Sequence, residues 1–454
     1  MKKNRLLILS ALMIVALMGC EGYFDAKPDI SLVVPQTLSD FQAILDAEPR
    51  GLNSSPSVGL LSSDDLILGQ AILDRLTYAQ VSSYFWRDDF YLPGEDDSNW
   101  FTAYRKVFHA NLVLDGLKDY NPQTQAEEKE IEILVASAKF YRAVGHFEAL
   151  SYFAEVFKPE VQDQLGVPIR LTSDLNQKIK RSTQLQSYDQ IIQDLQDGIG
   201  VLPLKPSVLT RPSKWAAHSM LSRVLLYKQD YQGALMHAEE ALKIDDTLMD
   251  YTELDSTLSY SFEILNPEVI HYGELLSGRY ATNTATFVNP EIVKLYQVGD
   301  LRPFFFFKDS RVDSLKNFRG NYTGAYYIFG GLAVDEVLLN KAEAAARLGN
   351  SGMALEALGL LIKNRVLAEY LPSWIGIQEN EVLELIKTER RKELVFRGIR
   401  WLDLKRYNLH TDEAITISRK YNEGGGQLVP LDQKYVIPIP PMEMELNPLQ
   451  QNPR

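Results

Sequence analysis

Apolar residues return at every third or fourth position through residues 98–117, 127–157, 187–199, 213–244, 332–366 and 380–408. That spacing lines one face of a 3.6-residue helix, so each stretch is predicted helical, with a shorter helix at 37–48. In the first long stretch Ser98 is placed to cap the helix, and Trp100, Tyr104, Phe108 and Leu112 form one inward stripe. Alternation of polar and apolar residues never runs long enough for a large sheet. The expected fold class is therefore mostly α.

Two stretches repeat a pattern about a tight turn. Leu221, Ser222, Leu225, the turn KQDYQG, then Ala234, Ala238 and Ala241 match Lys341, Ala342, Ala345, the turn RLGNSG, then Ala354, Leu358 and Leu361. Small residues at matched offsets let antiparallel helices approach closely, as in tetratricopeptide-type hairpins. Ordinary helical hairpins without repeat ancestry account for the same pattern, and both readings stand. Between the helices lie irregular segments at about 50–97, 246–332 and 410–454, much longer than usual connections. Loops of that length carry or cover function, so a loop-built binding surface on a helical scaffold is expected, in one domain over 37–454.

Composition adds that a core is affordable: 45% of residues are hydrophobic and 10% aromatic. A net charge of −13 argues against nucleic acid as a partner. Lys2, Lys3 and Arg5 precede an apolar run at 6–18, too short to span a bilayer of roughly 30 Å and suited to a secretory signal. The run ends in LMGC, and Cys20 is the only cysteine in the chain. This resembles the lipobox of bacterial lipoproteins, which implies a signal peptide at 1–20, lipidation of Cys20, a tether at 21–36 and membrane attachment through lipid. No disulfide is available, so packing alone must hold the exported chain together.

Catalytic chemistry leaves little trace. The six histidines lack metal-pair spacing, EGGGQ at 423–427 lacks the lysine and helix of a phosphate loop, and no nucleophile elbow occurs. Neither a catalytic residue, a metal nor a cofactor is expected. Glu95, Asp96 and Asp97 cluster before a predicted helix; they suit Ca²⁺ or glycoside chemistry, and equally suit the helix dipole. Aromatic rings in or beside the long loops are candidate ligand contacts: Trp86, Tyr91, Tyr272, Tyr280 and Trp374.

Seven Arg/Lys and three acids crowd the run from Glu389 to Arg406. On a continuous helix Val382, Ile386, Glu389, Glu393 and Phe396 share one stripe, with Lys392 three residues after Glu389 and Arg397 one turn after Glu393. Acids on a core face persist only when paired. Glu389, Glu393 and Arg397 are thus expected to form a structural charge cluster, not a patch for an anionic partner.

Several segments in order resemble one family. They are ASAKFYRAVGHFEALSYFAEVF with GVPIRL, STQLQSYDQIIQDLQDGIGVLP, TRPSKWAAHSMLSRVLLYKQDYQGALMHAEEAL, VGDLRP, DEVLLNKAEAAARLG, ERRKELVFRGIRWLDLKRYN and the tail VIPIPPMEMELNPLQQNP. Together they resemble the SusD/RagB-like outer-membrane nutrient-binding lipoproteins, with Arg397-Gly398-Ile399 standing where Glu-Gly-His is more usual. The resemblance implies about four tetratricopeptide-like hairpin pairs, a loop-rich ligand-binding subdomain and little β structure. It further implies a non-enzymatic lipoprotein that faces the cell exterior as a lid over a SusC-like TonB-dependent barrel transporter and passes an oligosaccharide or peptide to it. The residues alone also allow a secreted helical glycoside hydrolase using Asp96 or Asp97, or a tetratricopeptide scaffold that binds only protein.

Overall fold

The computed structural model describes residues 35–46, 51–276, 280–421 and 424–454, without the side chains of 420, 421, 424 and 425. Cys20 and the tether up to residue 34 lie outside the described residues. The scaffold helices are α1 (Leu38–Leu45), α2 (Ser98–Lys118), α3 (Gln125–Phe153), α4 (Gln184–Ile199), α5 (Lys214–Tyr227), α6 (Tyr231–Ile244), α7 (Val334–Arg347), α8 (Ser351–Ile362), α9 (Glu379–Glu393) and α10 (Arg400–Tyr407). The protein is mostly α, and its strands are short and pair only in twos among the described residues.

Local chemistry explains where the helices start. Thr124, Thr183, Ser213, Asp230 and Asn350 each accept a hydrogen bond from a first-turn backbone N–H of α3, α4, α5, α6 and α8. The cap of α2 is Asp97, which accepts from Asn99 N at 2.6 Å, so Ser98 is the first helical residue and not the cap. The deepest stripe of α2 is Ala103, Val107, Ala110, Leu114 and Leu117. Tyr104, Phe108 and Leu112 are only half-buried.

The two matched hairpins close alike. In α5–α6 the turn residue Gln229 has φ 63°, and in α7–α8 Gly349 has φ 77°. Ala234, Ala238, Ala241, Ala354, Leu358 and Leu361 are all fully buried, so the helices meet over their small side chains. Helices α2 and α3 approach as closely: a Cβ on Gly145 would sit 2.6 Å from the Ala103 carbonyl oxygen. Helix α7 packs on α5, α6, α8 and α9 and forms the centre of the scaffold.

The continuous helix expected over 380–408 is broken. Helix α9 stops at Glu393 and α10 begins at Arg400, with Phe396 at φ 61° and Gly398 at φ 75° between them. Left-handed residues cannot continue an α-helix. The break drives Phe396 into a second hydrophobic core, where it stacks on Phe318 with ring centroids 4.3 Å apart. That core is drawn from Leu60 to Tyr84, Met249 to Ala333, and Val395 and Phe396, and it lies beside the larger helical core.

The seam between the cores is ionic. Fully buried Arg302 donates to Asp300 and Glu389 at 2.7 Å and to Glu393 at 3.1 Å. Fully buried Arg365 donates to Glu393 and Glu268, both at 2.8 Å. Arg397 does not pair with Glu393; the broken helix turns it onto Asp335 at 3.0 Å. Tyr322 then bridges two carboxylates, with its hydroxyl 2.9 Å from Glu268 and 3.1 Å from Asp335. Burial, reinforced by the Asp335 and Glu393 charges and opposed by Arg365, pushes Glu268 up to about 7.

Candidate functional site

The loop-rich region holds a crevice of about 460 Å³ built from residues 57–99 and Leu276. Its polar wall carries Thr77, Gln80, Asp96, Ser98 and Asn99, and its apolar wall Val58, Phe90 and Leu276. The short helix Tyr78–Phe85 positions Gln80 through a capping box in which Thr77 and Gln80 bind each other's backbone N–H groups. That helix is stopped by Trp86 at φ 52°.

Hydrogen bonds make the walls rigid. Asn99 Oδ1 accepts from Ser57 N at 2.9 Å and Val58 N at 3.1 Å, tying the start of α2 to the helix Val58–Ser62. Asp97 accepts from Tyr91 at 2.6 Å and from the Asn99 amide at 2.7 Å, which leaves it a buried structural anion. Burial, then the Asp97 charge, holds the Tyr91 hydroxyl far above its ordinary range, so it remains a donor. Asp96 and Ser98 are exposed at the mouth. Hydroxyl, amide and carboxylate groups in a partly apolar cleft are the groups that recognise a neutral polyol.

A pair of rings stands one and two residues before Ile328. Leu276 donates to Ser55 O at 2.7 Å, and its neighbour Leu275 donates to Ile328 O at 2.8 Å. The strand register therefore brings Tyr326 and Tyr327 next to the chain that supplies Leu276. Their centroids are 4.2 Å apart, Tyr326 donates to the Tyr327 hydroxyl at 2.9 Å, and Tyr326 is 47% exposed.

The five aromatic residues proposed as contacts do not form this surface together. Trp86 is buried, donates Nε1 to Ser62 O at 2.9 Å and lies under Arg419, so it offers no open face. Tyr280 is buried behind the crevice, its hydroxyl 3.3 Å from Ser57 O. Tyr272 donates to Glu274 at 2.7 Å and lines a separate internal cavity of about 70 Å³ beside the Lys106–Glu148 ion pair. Tyr91 is half-buried and held by Asp97, while half-buried Trp374 packs near Gly359 of α8, away from the crevice. Tyr272 and Tyr280 fold inward into the second core, whereas Trp86 lies in the larger helical core, against which Tyr91 and Trp374 pack. Thr77, Gln80, Asn99 and Leu276 carried no sequence signal of a site; Tyr326-Tyr327, missed by the sequence reading, had one available signal, two adjacent aromatic residues in a long loop.

The structure brings together one pair of histidines separated by nineteen positions, with His218 and His237 Nδ1 atoms 2.9 Å apart across the α5–α6 hairpin. Among the described residues no group of three potential metal ligands gathers.

Comparison with known proteins gives a consistent pattern. The family described as "Starch-binding associating with outer membrane" matches residues 22–226, and the SusD family matches residues 334–454. A SusD-like protein P2 of Formosa agariphila is 21% identical over 98% of each chain. Among solved structures, a putative sugar binding protein from Bacteroides vulgatus superposes with TM-score 0.74 at 22% identity, covering 92% of this chain and 99% of that one. A SusD superfamily protein from Bacteroides thetaiotaomicron gives TM-score 0.71 at 22% identity, covering 92% and 100%. At these identities the structural likeness speaks for the fold alone.

Proposed function

The chain belongs to the SusD/RagB-like family, and from that premise we propose that it is a non-enzymatic lipoprotein, anchored to the outer membrane through Cys20, that binds an oligosaccharide in the crevice between Gln80 and Asp96. The observation that carries the reading is the crevice itself, with its polyol-matching wall, and the Tyr326–Tyr327 pair in the same loop-rich region adds an aromatic face. Sugar rings stack on such faces while hydroxyls bond to the amide and carboxylate wall, which suits a ligand that must later be released. The bound nutrient is handed to a SusC-like TonB-dependent barrel transporter at the cell surface. Among the described residues no helix is long and apolar enough to cross a membrane. A hydrolase would need two free carboxyls flanking the bond, and Asp97 is consumed by the cap of α2.

Calorimetric titration with a panel of neutral oligosaccharides, maltohexaose among them, and of unmodified peptides tests the site. Tyr326→Ala should weaken the binding member about tenfold, ~1.4 kcal/mol, without lowering the thermal midpoint. Undiminished affinity in that variant and in Gln80→Ala would remove the crevice as the site, and binding by peptides alone would remove the oligosaccharide. Shortened products after incubation would establish catalysis instead.

A further inference from the structure

Six of the seven cations in the run from Glu389 to Arg406 meet carboxylates. Arg390 pairs with Asp403 at 2.9 Å, Arg391 and Arg400 with Asp64 at 2.7 and 2.8 Å, and Lys392 with Glu389 at 2.7 Å. Arg397 pairs with Asp335 at 3.0 Å, and Arg406 with Glu343 at 2.6 Å. Lys405 is the exception among the described residues. Its Nζ donates to the carbonyl oxygens of Ser151 and Ala154, both at 2.7 Å, where α3 ends. An ammonium has three protons, so one remains at the wall of the pocket that Lys405 lines.

That pocket, of about 220 Å³, lies between the end of α3, α10 and residues 431–436. Two further polar groups line it. Asn408 is 3% exposed; its Oδ1 accepts from Ile415 N at 2.9 Å, which turns Nδ2 toward the Tyr435 hydroxyl. Tyr435 is 4% exposed, its ring stacked on Trp401 with centroids 4.7 Å apart, and with Asn408 beside its hydroxyl oxygen the hydroxyl proton is left for another acceptor. A buried donor left without an acceptor carries a desolvation penalty, which a ligand acceptor there would relieve.

We propose that this pocket is a second binding site, separate from the loop crevice, for a small carboxylate ligand of about monosaccharide size. A carboxylate supplies the acceptor oxygens that the third Lys405 proton and the Tyr435 hydroxyl proton lack, and the paired negative charge that the six neighbouring cations already have and Lys405 does not. The other charged groups facing the pocket are Glu155 and Lys158 beyond α3 and Asp432 on the turn. Glu155 and Lys158 engage each other at 3.4 Å, and Asp432 accepts from Lys434 N at 2.9 Å. Burial pushes the Lys405 ammonium down to about 7 against the pull of Glu155, so the free site loses its charge just above neutrality.

Titration of the full chain with D-glucuronate, and with D-glucose as the uncharged control of similar size, tests the proposal. Glucuronate should bind at pH 6 and weaken by about tenfold for each pH unit above 7, while glucose binds at least tenfold more weakly at pH 6. Tyr435→Phe should weaken glucuronate several-fold with an unchanged circular dichroism spectrum. Lys405→Met should abolish the pH dependence; if it fails to fold, the Tyr435→Phe variant and the wild-type pH profile carry the decision. Equal binding of glucose, affinity flat from pH 6 to 9, or full affinity in Tyr435→Phe overturns the site.

Discussion

Two groups of acids among the described residues behave oppositely. At the seam between the cores, Glu268, Glu389, Glu393, Asp300 and Asp335 are buried against Arg302, Arg365, Lys392 and Arg397. At the crevice, Asp97 is buried in backbone and tyrosine hydrogen bonds, while Asp96 stands in solvent. Depth and partner decide between them: an acid ringed by guanidinium groups holds elements together, and one at a cleft mouth is available to a ligand.

The most disruptive way to sharpen that contrast is Glu393→Ala. It leaves fully buried Arg302 and Arg365 short of a shared partner, so chemical denaturation should register a loss of about 3–5 kcal/mol. Ligand affinity of the folded fraction should stay unchanged. A variant that stayed stable but lost ligand would reverse the assignment of the two regions.

Next in size is a pH effect confined to the seam. Tyr322 has one hydroxyl proton and faces both Glu268 and Asp335, so one carboxyl of that pair must carry a proton for both contacts to be favourable. Between the ordinary glutamate value near 4.5 and about 7, the native state holds more protons than the unfolded chain. Stability therefore falls as pH rises through that window, by on the order of 2–3 kcal/mol. Glu268→Gln should flatten the slope in unfolding experiments between pH 5 and 8. A slope of the opposite sign in the unaltered protein would refute the shared proton.

The smallest test bears on the crevice. Asp97→Ala removes the cap of α2 and should lower stability by about 1 kcal/mol, measured by thermal unfolding. Asp97→Asn keeps an acceptor and should recover most of it. If either change abolished a hydrolytic activity, Asp97 would belong with the reacting groups and the contrast with the seam would fail.

The hairpins were legible because their determinants are local. The KQDYQG and RLGNSG turns, the caps Ser213, Asp230 and Asn350, and the buried small residues all act within a few positions of one another. The break after Glu393 was hidden, because Phe396 leaves the helix to stack on Phe318, a residue remote in sequence. The aromatic loop around Trp86 was hidden for the same reason: Arg419 and Ser62, from two distant segments, claim its ring and its N–H.

By itself the sequence determined that the chain is helical, that two hairpins close about matched turns, and that buried acids in the basic run need cationic partners. Those properties follow from periodicity, capping and the penalty for burying charge, which act on any chain with these residues. Tertiary structure alone decided which cation meets which acid, which rings are core, and that Lys405 is left facing a pocket. Arg302 to Glu389, Arg365 to Glu268 and Arg397 to Asp335 span separations of 87, 97 and 62 residues. No local pattern encodes such pairs, because they form only once the two cores have packed.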